Sequence, residues 1–190
     1  VRGVRATVTV DVAAGAALAV LHLAELGHTQ IAGIFGPGAI DTTRRRREGF
    51  LAAGKSAGIR TLAIDAIGLD PAAGNAAAVE IFETHRQATA IFASTFAIGM
   101  GVLRAARQTG IKIPEQISVI ALHDSDYADY LGPPLTTIGL PVEEMARRAV
   151  DLLVDLIDGG TPHSVIVKTA PTLMRRESTA RPQKTKRRSS

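Results

Sequence analysis

Along the chain, apolar runs of strand length alternate with longer Ala-rich stretches that close on glycine. The runs Thr7 to Val10, Ile31 to Phe35, Thr61 to Ile64, Ala90 to Ala93 and Ser118 to Leu122 are mostly apolar throughout rather than at every second position. Continuous hydrophobicity suits strands covered on both faces, whereas a half-exposed strand alternates. Between the runs the spacing predicts helices. Leu18, Leu21, Ala24 and Leu26 share a stripe within 14–26, and Gly27 offers a left-handed stop. Asp70-Pro71 reads as an N-cap followed by proline in the first turn, opening a helix to about Gln87. A helix over 97–109 stops at Gly110, and one opened by Pro141 ends at Gly159-Gly160. This order predicts an α/β fold, a doubly wound parallel sheet flanked by helices. Such sheets bind ligands beyond the carboxyl ends of their strands, where strand order reverses. That rule directs attention to Asp11, the 36–47 segment, Asp65 to Gly68, Ser94 to Phe96 and His123 to Asp126.

Composition narrows the classes. With 46% hydrophobic residues in 190, a core is available, and 4% aromatics means that aliphatic faces build it. The formal net charge of +4 comes from the end of the chain: 181–190 holds five Lys or Arg and no acid, leaving the rest at −1. The body is therefore not a basic nucleic-acid surface, and 181–190 is expected to be a disordered basic tail. There is no cysteine, so disulfides, thiolate metal sites and cysteine nucleophiles are excluded. No apolar run reaches the roughly 18 residues of a membrane span, and no membrane partner is expected. The absence of cysteine fits a cytoplasmic protein. A chain starting at Val1 is expected to have lost its natural beginning.

Catalytic signatures are missing as well. Neither a dinucleotide or P-loop glycine pattern nor HExxH nor GxSxG occurs, and His22 and His28 are too far apart to ligate a metal from one helix face. The expectation is a protein that is not an enzyme, with no catalytic residues, no metal and no cofactor.

Several phrases, in this order, resemble the regulatory core of LacI/GalR-type transcription regulators. They are VTVD (8–11), HLAELGHTQIAGIFGP (22–37), RREGF (46–50), AIFAS (90–94), IPEQISVIALHD (113–124), PPLTTI (133–138) and LMRREST (173–179). The resemblance covers about 7–180 and implies a periplasmic-binding-protein-like type I fold. That fold has two α/β lobes joined by three crossovers, which here fall near Asp11 to Ala13, Thr136 to Ile138 and Thr161 to His163. Residues 1–11 and 138–162 are then remnants of the N-terminal lobe, and 12–137 with 163–180 form a nearly complete C-terminal lobe. The family's DNA-reading helix-turn-helix would lie outside this chain. A remnant helix without its natural sheet is expected to leave 141–158 aggregation-prone or poorly ordered.

What the resemblance implies for function is a small-molecule effector bound between lobes, operator DNA contacted through the missing N-terminal module, and a homodimer. It places the arginine that donates to the effector at Arg46. A guanidinium offers a planar fork of donors for hydroxyls, carboxylates or phosphates. Arg44 to Arg47 occupy the first turns of a helix, where the macrodipole disfavours cations, so acceptors are expected for some of them, or else a solvated cationic face. The chain departs from the family at three cleft positions: Thr95-Phe96 replaces an Asn-Asp pair, His123 replaces a sugar-gripping acid, and Leu140 stands where some relatives carry a polar contact. Losing acceptors disfavours a neutral polyol, because unsatisfied buried hydroxyls are costly. The effector expected is sugar-like or, better suited to these residues, an anionic metabolite. The candidate effector-binding set is Arg46, Thr95, Phe96, His123, Asp124 and Asp11. Plainer alternatives stand beside four of them: Phe96 as core, His123 on a loop carbonyl, Asp124 holding a loop or capping a short helix of Ser125 to Tyr130, Asp11 at a hinge. A free-standing solute-binding protein of the same architecture is the alternative function, and the sequence upstream of Val1 discriminates the two.

Overall fold

The computed structural model describes residues 6–183. Most of the expected basic tail, 184–190, lies outside them. Six strands form the main sheet: β2 (Gln30–Phe35), β3 (Arg60–Asp65), β4 (Ala90–Ala93), β5 (Ser118–Leu122), β6 (Thr136–Gly139) and β8 (Thr172–Met174). Their order is β3-β2-β4-β5-β6-β8, parallel except for the antiparallel β6–β8 pair at one edge. A second sheet pairs β1 (Thr7–Thr9) with β7 (Ser164–Ile166) in parallel. The small sheet thus takes in residues that a boundary at 163 assigns to the larger unit.

Helices α1 (Val12–Glu25), α2 (Asp41–Ser56), α3 (Pro71–Thr84) and α4 (Phe96–Thr109) connect the parallel strands, and α5 (Val142–Ile157) follows β6. Their ends follow the side-chain chemistry. The Asp11 carboxylate accepts from the Ala14 amide, which starts α1 two residues earlier than the apolar stripe implies. Asp70 accepts from the amides of Ala72 and Ala73, with Pro71 in the first turn, as expected. Helix α3 ends at Thr84 rather than Gln87, with His85 as its cap. Gly110, at φ 73°, closes α4 in the left-handed conformation.

The sheet separates two apolar layers. On one side Phe35, Phe50 and Phe92 meet between α1, α2 and the strands, with Phe50 stacked on Phe92 at a ring separation of 5.6 Å. On the other side α3 and α4 cover Ile34, Ile91 and Val119. Gly101 sits so close to α3 that a Cβ there would lie 2.2 Å from the Pro71 carbonyl oxygen. Gly99, Gly101, Ala105 and Ala106 of α4 are all buried within the chain.

Residues 142–157 form one continuous helix, not a poorly ordered stretch, because Glu143 and Glu144 favour its positive N-terminal end and its apolar spacing is helical. Only Leu152 of α5 is buried; Val150, Leu153, Val154 and Ile157 are exposed. Among the described residues no helix is long and apolar enough to cross a membrane.

Candidate functional site

Because β2 neighbours both β3 and β4, the chain moves outward from it in opposite directions, and the switch point lies beside the carboxyl ends of β2 and β4. Residues leaving these ends and that of β5 converge there. Helix α2 supplies Arg46 and is set close to α1 by Gly49, whose added Cβ would lie 2.3 Å from the Ala13 carbonyl oxygen. Any larger residue would push the arginine away from the sheet.

The run of four arginines finds the acceptors its position calls for, with one exception. Asp41, in the first turn of α2, accepts from Arg44 and lies 2.8 Å from the Arg45 Nε. Arg47 pairs with Asp65 at the end of β3 and lies over the Phe35 ring. Arg46 differs: it is 7% exposed and, among the described residues, pairs with no carboxylate. Its Nη2 lies 3.2 Å from His123 Nε2, and its buried Nε has no partner among the described residues. Burial lowers its pKa, as expected for a cation removed from water.

His123 follows β5 with φ 72°, the one non-glycine residue with positive φ among those described. A β-carbon in the left-handed region costs strain, and the conformation points to a constraint on where this side chain sits. Its pKa is pushed down to about 4, chiefly by burial and further by the Arg46 guanidinium. The neutral ring accepts from Arg46 through Nε2, which leaves the proton on Nδ1. The plainer alternative for His123, a loop carbonyl, is not among its hydrogen-bond partners in the described residues.

His123 and Asp124 line a hollow of about 270 Å³ with Ser125, Asp126, Gly139, Leu140 and Val142. Leu140 gives it an apolar wall. Asp124 is held from behind: its Oδ1 accepts from the Thr137 hydroxyl and, at 2.8 Å, from Arg176 Nη1. Partial burial opposes its ionisation, but Thr137 and Arg176 outweigh that and hold its pKa below the usual value. Arg176 also donates to Asp129 and to the Leu135 carbonyl, tying the short 3-10 helix Asp126–Tyr130 to the segment after β8. Ser125, not Asp124, caps that helix. Arg176 was given no role by sequence reasoning; its place in the LMRREST phrase was the available signal.

The remaining candidates are engaged locally. Thr95 caps α4 by accepting from the Ile98 amide, and Phe96 packs against the α3–α4 core layer. Asp11 is exposed and occupied with the start of α1. Two buried hydroxyls near the strand ends, Thr43 on α2 and Ser94 directly after β4, have no partner among the described residues. A larger hollow of about 680 Å³, lined by Ile81, Phe82, His85, Ile111 and Ile117 among others, lies at the opposite, amino ends of the strands. Groups of acidic, His or Cys residues able to hold a metal are absent among the described residues.

Fold and switch point together define an α/β lobe of the class that takes ligands beyond the carboxyl ends of its strands. Residues 20–179 match the family model of the periplasmic binding protein-like domain. The HTH-type transcriptional regulator MalR of Streptomyces coelicolor is 36% identical over 187 residues, covering 90% of this chain and 51% of that protein. The HTH-type transcriptional regulator CelR of Thermobifida fusca is 33% identical over 175 residues, with the same coverage of 90% and 51%. A LacI family transcriptional regulator from Mycobacterium smegmatis superposes with a TM-score of 0.87 at 32% identity, covering 92% of this chain and 66% of that one. The CelR–cellobiose complex gives 0.85 at 31%, covering 92% and 54%. This chain belongs to the periplasmic binding protein-like domain family, in the form found in LacI-family regulators. It spans about half the length of the curated relatives it matches.

Proposed function

We propose that this chain is the ligand-sensing domain of a LacI-type transcriptional repressor, in which a small polar effector binds against Arg46 at the carboxyl end of the sheet. The carrying observation is the guanidinium itself, buried at the switch point with an unused Nε and no carboxylate among the described residues. Arg46 and His123 would meet the effector directly, with Leu140 as an apolar wall, while Asp124 and Thr95 hold the loops that frame it. Effector binding favours one closure of the lobes over another only by its difference in affinity between them. That closure would reset the spacing of two DNA-reading heads in a homodimer bound to a two-fold operator. Tyr127 and Tyr130, both exposed on the 126–130 helix, suit the dimer contact. No chemistry is required, and a cytoplasmic location accompanies the reading.

Support for a regulator over a free-standing solute receptor comes from the relatives, which are named transcriptional regulators across most of this chain. Structures of such regulators carry cellobiose or ribose. The test is calorimetric titration of the complete protein with cellobiose, ribose and a panel of sugar acids and phosphates, beside operator binding measured by fluorescence anisotropy. One compound should bind, shift operator affinity, and lose at least about tenfold in affinity in Arg46→Ala, equivalent to about 1.4 kcal/mol. Binding indifferent to Arg46 would refute the assignment.

A further inference from the structure

The four consecutive arginines of α2 provide an internal control on what Arg46 is for. Arg44, Arg45 and Arg47 are each matched to a carboxylate from Asp41 or Asp65 at the protein surface. Arg46 is the buried one, and it is the one left without an anion among the described residues. Burying a charge is unfavourable unless it is paired, so its counter-charge belongs to something that arrives. Its present contact, His123 Nε2, is a neutral acceptor that an incoming group must displace or bridge.

The other charges around His123 do not supply that anion. From its own loop come Asp124, whose inner oxygen is taken by Arg176 and Thr137, and Asp126, which is exposed. From α2 comes Arg46, and from the segment after β8 comes Arg176, already satisfied by Asp124 and Asp129. Beside the hollow this leaves one uncompensated guanidinium and one imidazole that can become a second cation.

Resting on the sensor reading above, we propose that Arg46 and His123 form an anion-selective subsite, in which a carboxylate, sulfate or phosphate group of the ligand is taken up together with one proton on His123. The anion sits between the two side chains, and both ring nitrogens of His123 then donate, Nε2 to the ligand. Without ligand, Arg46 and burial keep the ring neutral down to about pH 4. A bound anion reverses the Arg46 repulsion and raises the affinity of the ring for a proton. The sign follows: in the interval between the free and the bound midpoints, affinity for the anion rises as pH falls, by up to about tenfold per pH unit. Above the bound midpoint it is flat. A neutral sugar would show no such dependence.

Sulfate is the probe, because it keeps its charge across the range in which histidine titrates. The full chain is labelled, the His123 ring resonance is assigned by its loss in His123→Asn, and its titration is followed by NMR in chloride and in sulfate at matched ionic strength. In sulfate the midpoint should rise by about one pH unit or more, equivalent to at least about tenfold tighter sulfate binding to the protonated form. Arg46→Gln should abolish the sulfate-dependent displacement, with the other histidine resonances reporting that the fold is kept. In His123→Asp, calorimetry should detect no sulfate binding. An unmoved midpoint, or an equal displacement in Arg46→Gln, overturns the proposal. If cellobiose or ribose binds in an Arg46-dependent way while sulfate leaves His123 unmoved, the anion subsite is wrong and the sensor reading stands. Failure of the whole panel to depend on Arg46 removes both.

Discussion

Replacing Arg46 with methionine should make the ligand-free chain more stable, not less. Methionine keeps an apolar stem of similar reach and removes a guanidinium that is 7% exposed and faces only a neutral imidazole. The buried, unpartnered Nε costs about 1–3 kcal/mol, and deleting it recovers that sum, while losing the hydrogen bond to His123 gives back about 1 kcal/mol. Removing a desolvated charge adds to the gain, as replacement of buried ions by apolar groups often does. The net is a stabilisation of about 1–2 kcal/mol, which for a chain of this size raises Tm by roughly 2–8 °C. Scanning calorimetry of both proteins at pH 7, in a buffer free of multivalent anions, measures it. A variant that melts below the parent would refute the reasoning, because it would mean that the guanidinium already contributes net stability in the free state.

Further consequences are open to measurement. His123 titrates near 4 in the folded chain against an ordinary 6.5, so the unfolded state binds more protons between these values. Stability is full above about pH 6.5 and declines as pH falls towards 4, and urea unfolding of His123→Gln should show a shallower decline. Asp124→Asn should cost about 1–3 kcal/mol by urea denaturation, because Arg176 loses a charged acceptor at 2.8 Å. Gly49→Ala should cost about 1–3 kcal/mol, since its Cβ would meet the Ala13 carbonyl oxygen at 2.3 Å and the two helices must part. Leu153→Gln with Ile157→Lys should lower light scattering of the concentrated chain without lowering its Tm, because both side chains are exposed.

The fold was legible wherever the signal was local. The strands β4 and β5 fall on the predicted runs to the residue, and every position of both is buried, the polar Ser118 included. β3 extends one residue beyond its run on each side, to Arg60 and Asp65, because pairing with Gln30 and Phe35 of β2 recruits backbone irrespective of side chain. Arg46 was found through the family resemblance and His123 through a departure from it; their contact joins positions 77 apart, and no spacing rule reports such a pair. The tie of Asp124 to Arg176, 52 residues away, was hidden for the same reason. Thr95 has the chemistry of a helix cap and serves as one, and Phe96 follows its plainer reading as core.

The residues after β8 close the larger sheet against its helices. Ser178 donates to the Val119 carbonyl and accepts from the Thr136 amide, Thr179 meets His22, and the Ala180 carbonyl accepts from Ser118 and contacts His28. A stitch drawn through elements from one end of the sequence to the other is available only after the ribosome has released that stretch. The lobe therefore closes only once residues 178–180 have emerged: its helices and inner strands can assemble before that, but the seam along β5 and β6 waits for them, and a stop before residue 178 would leave it open.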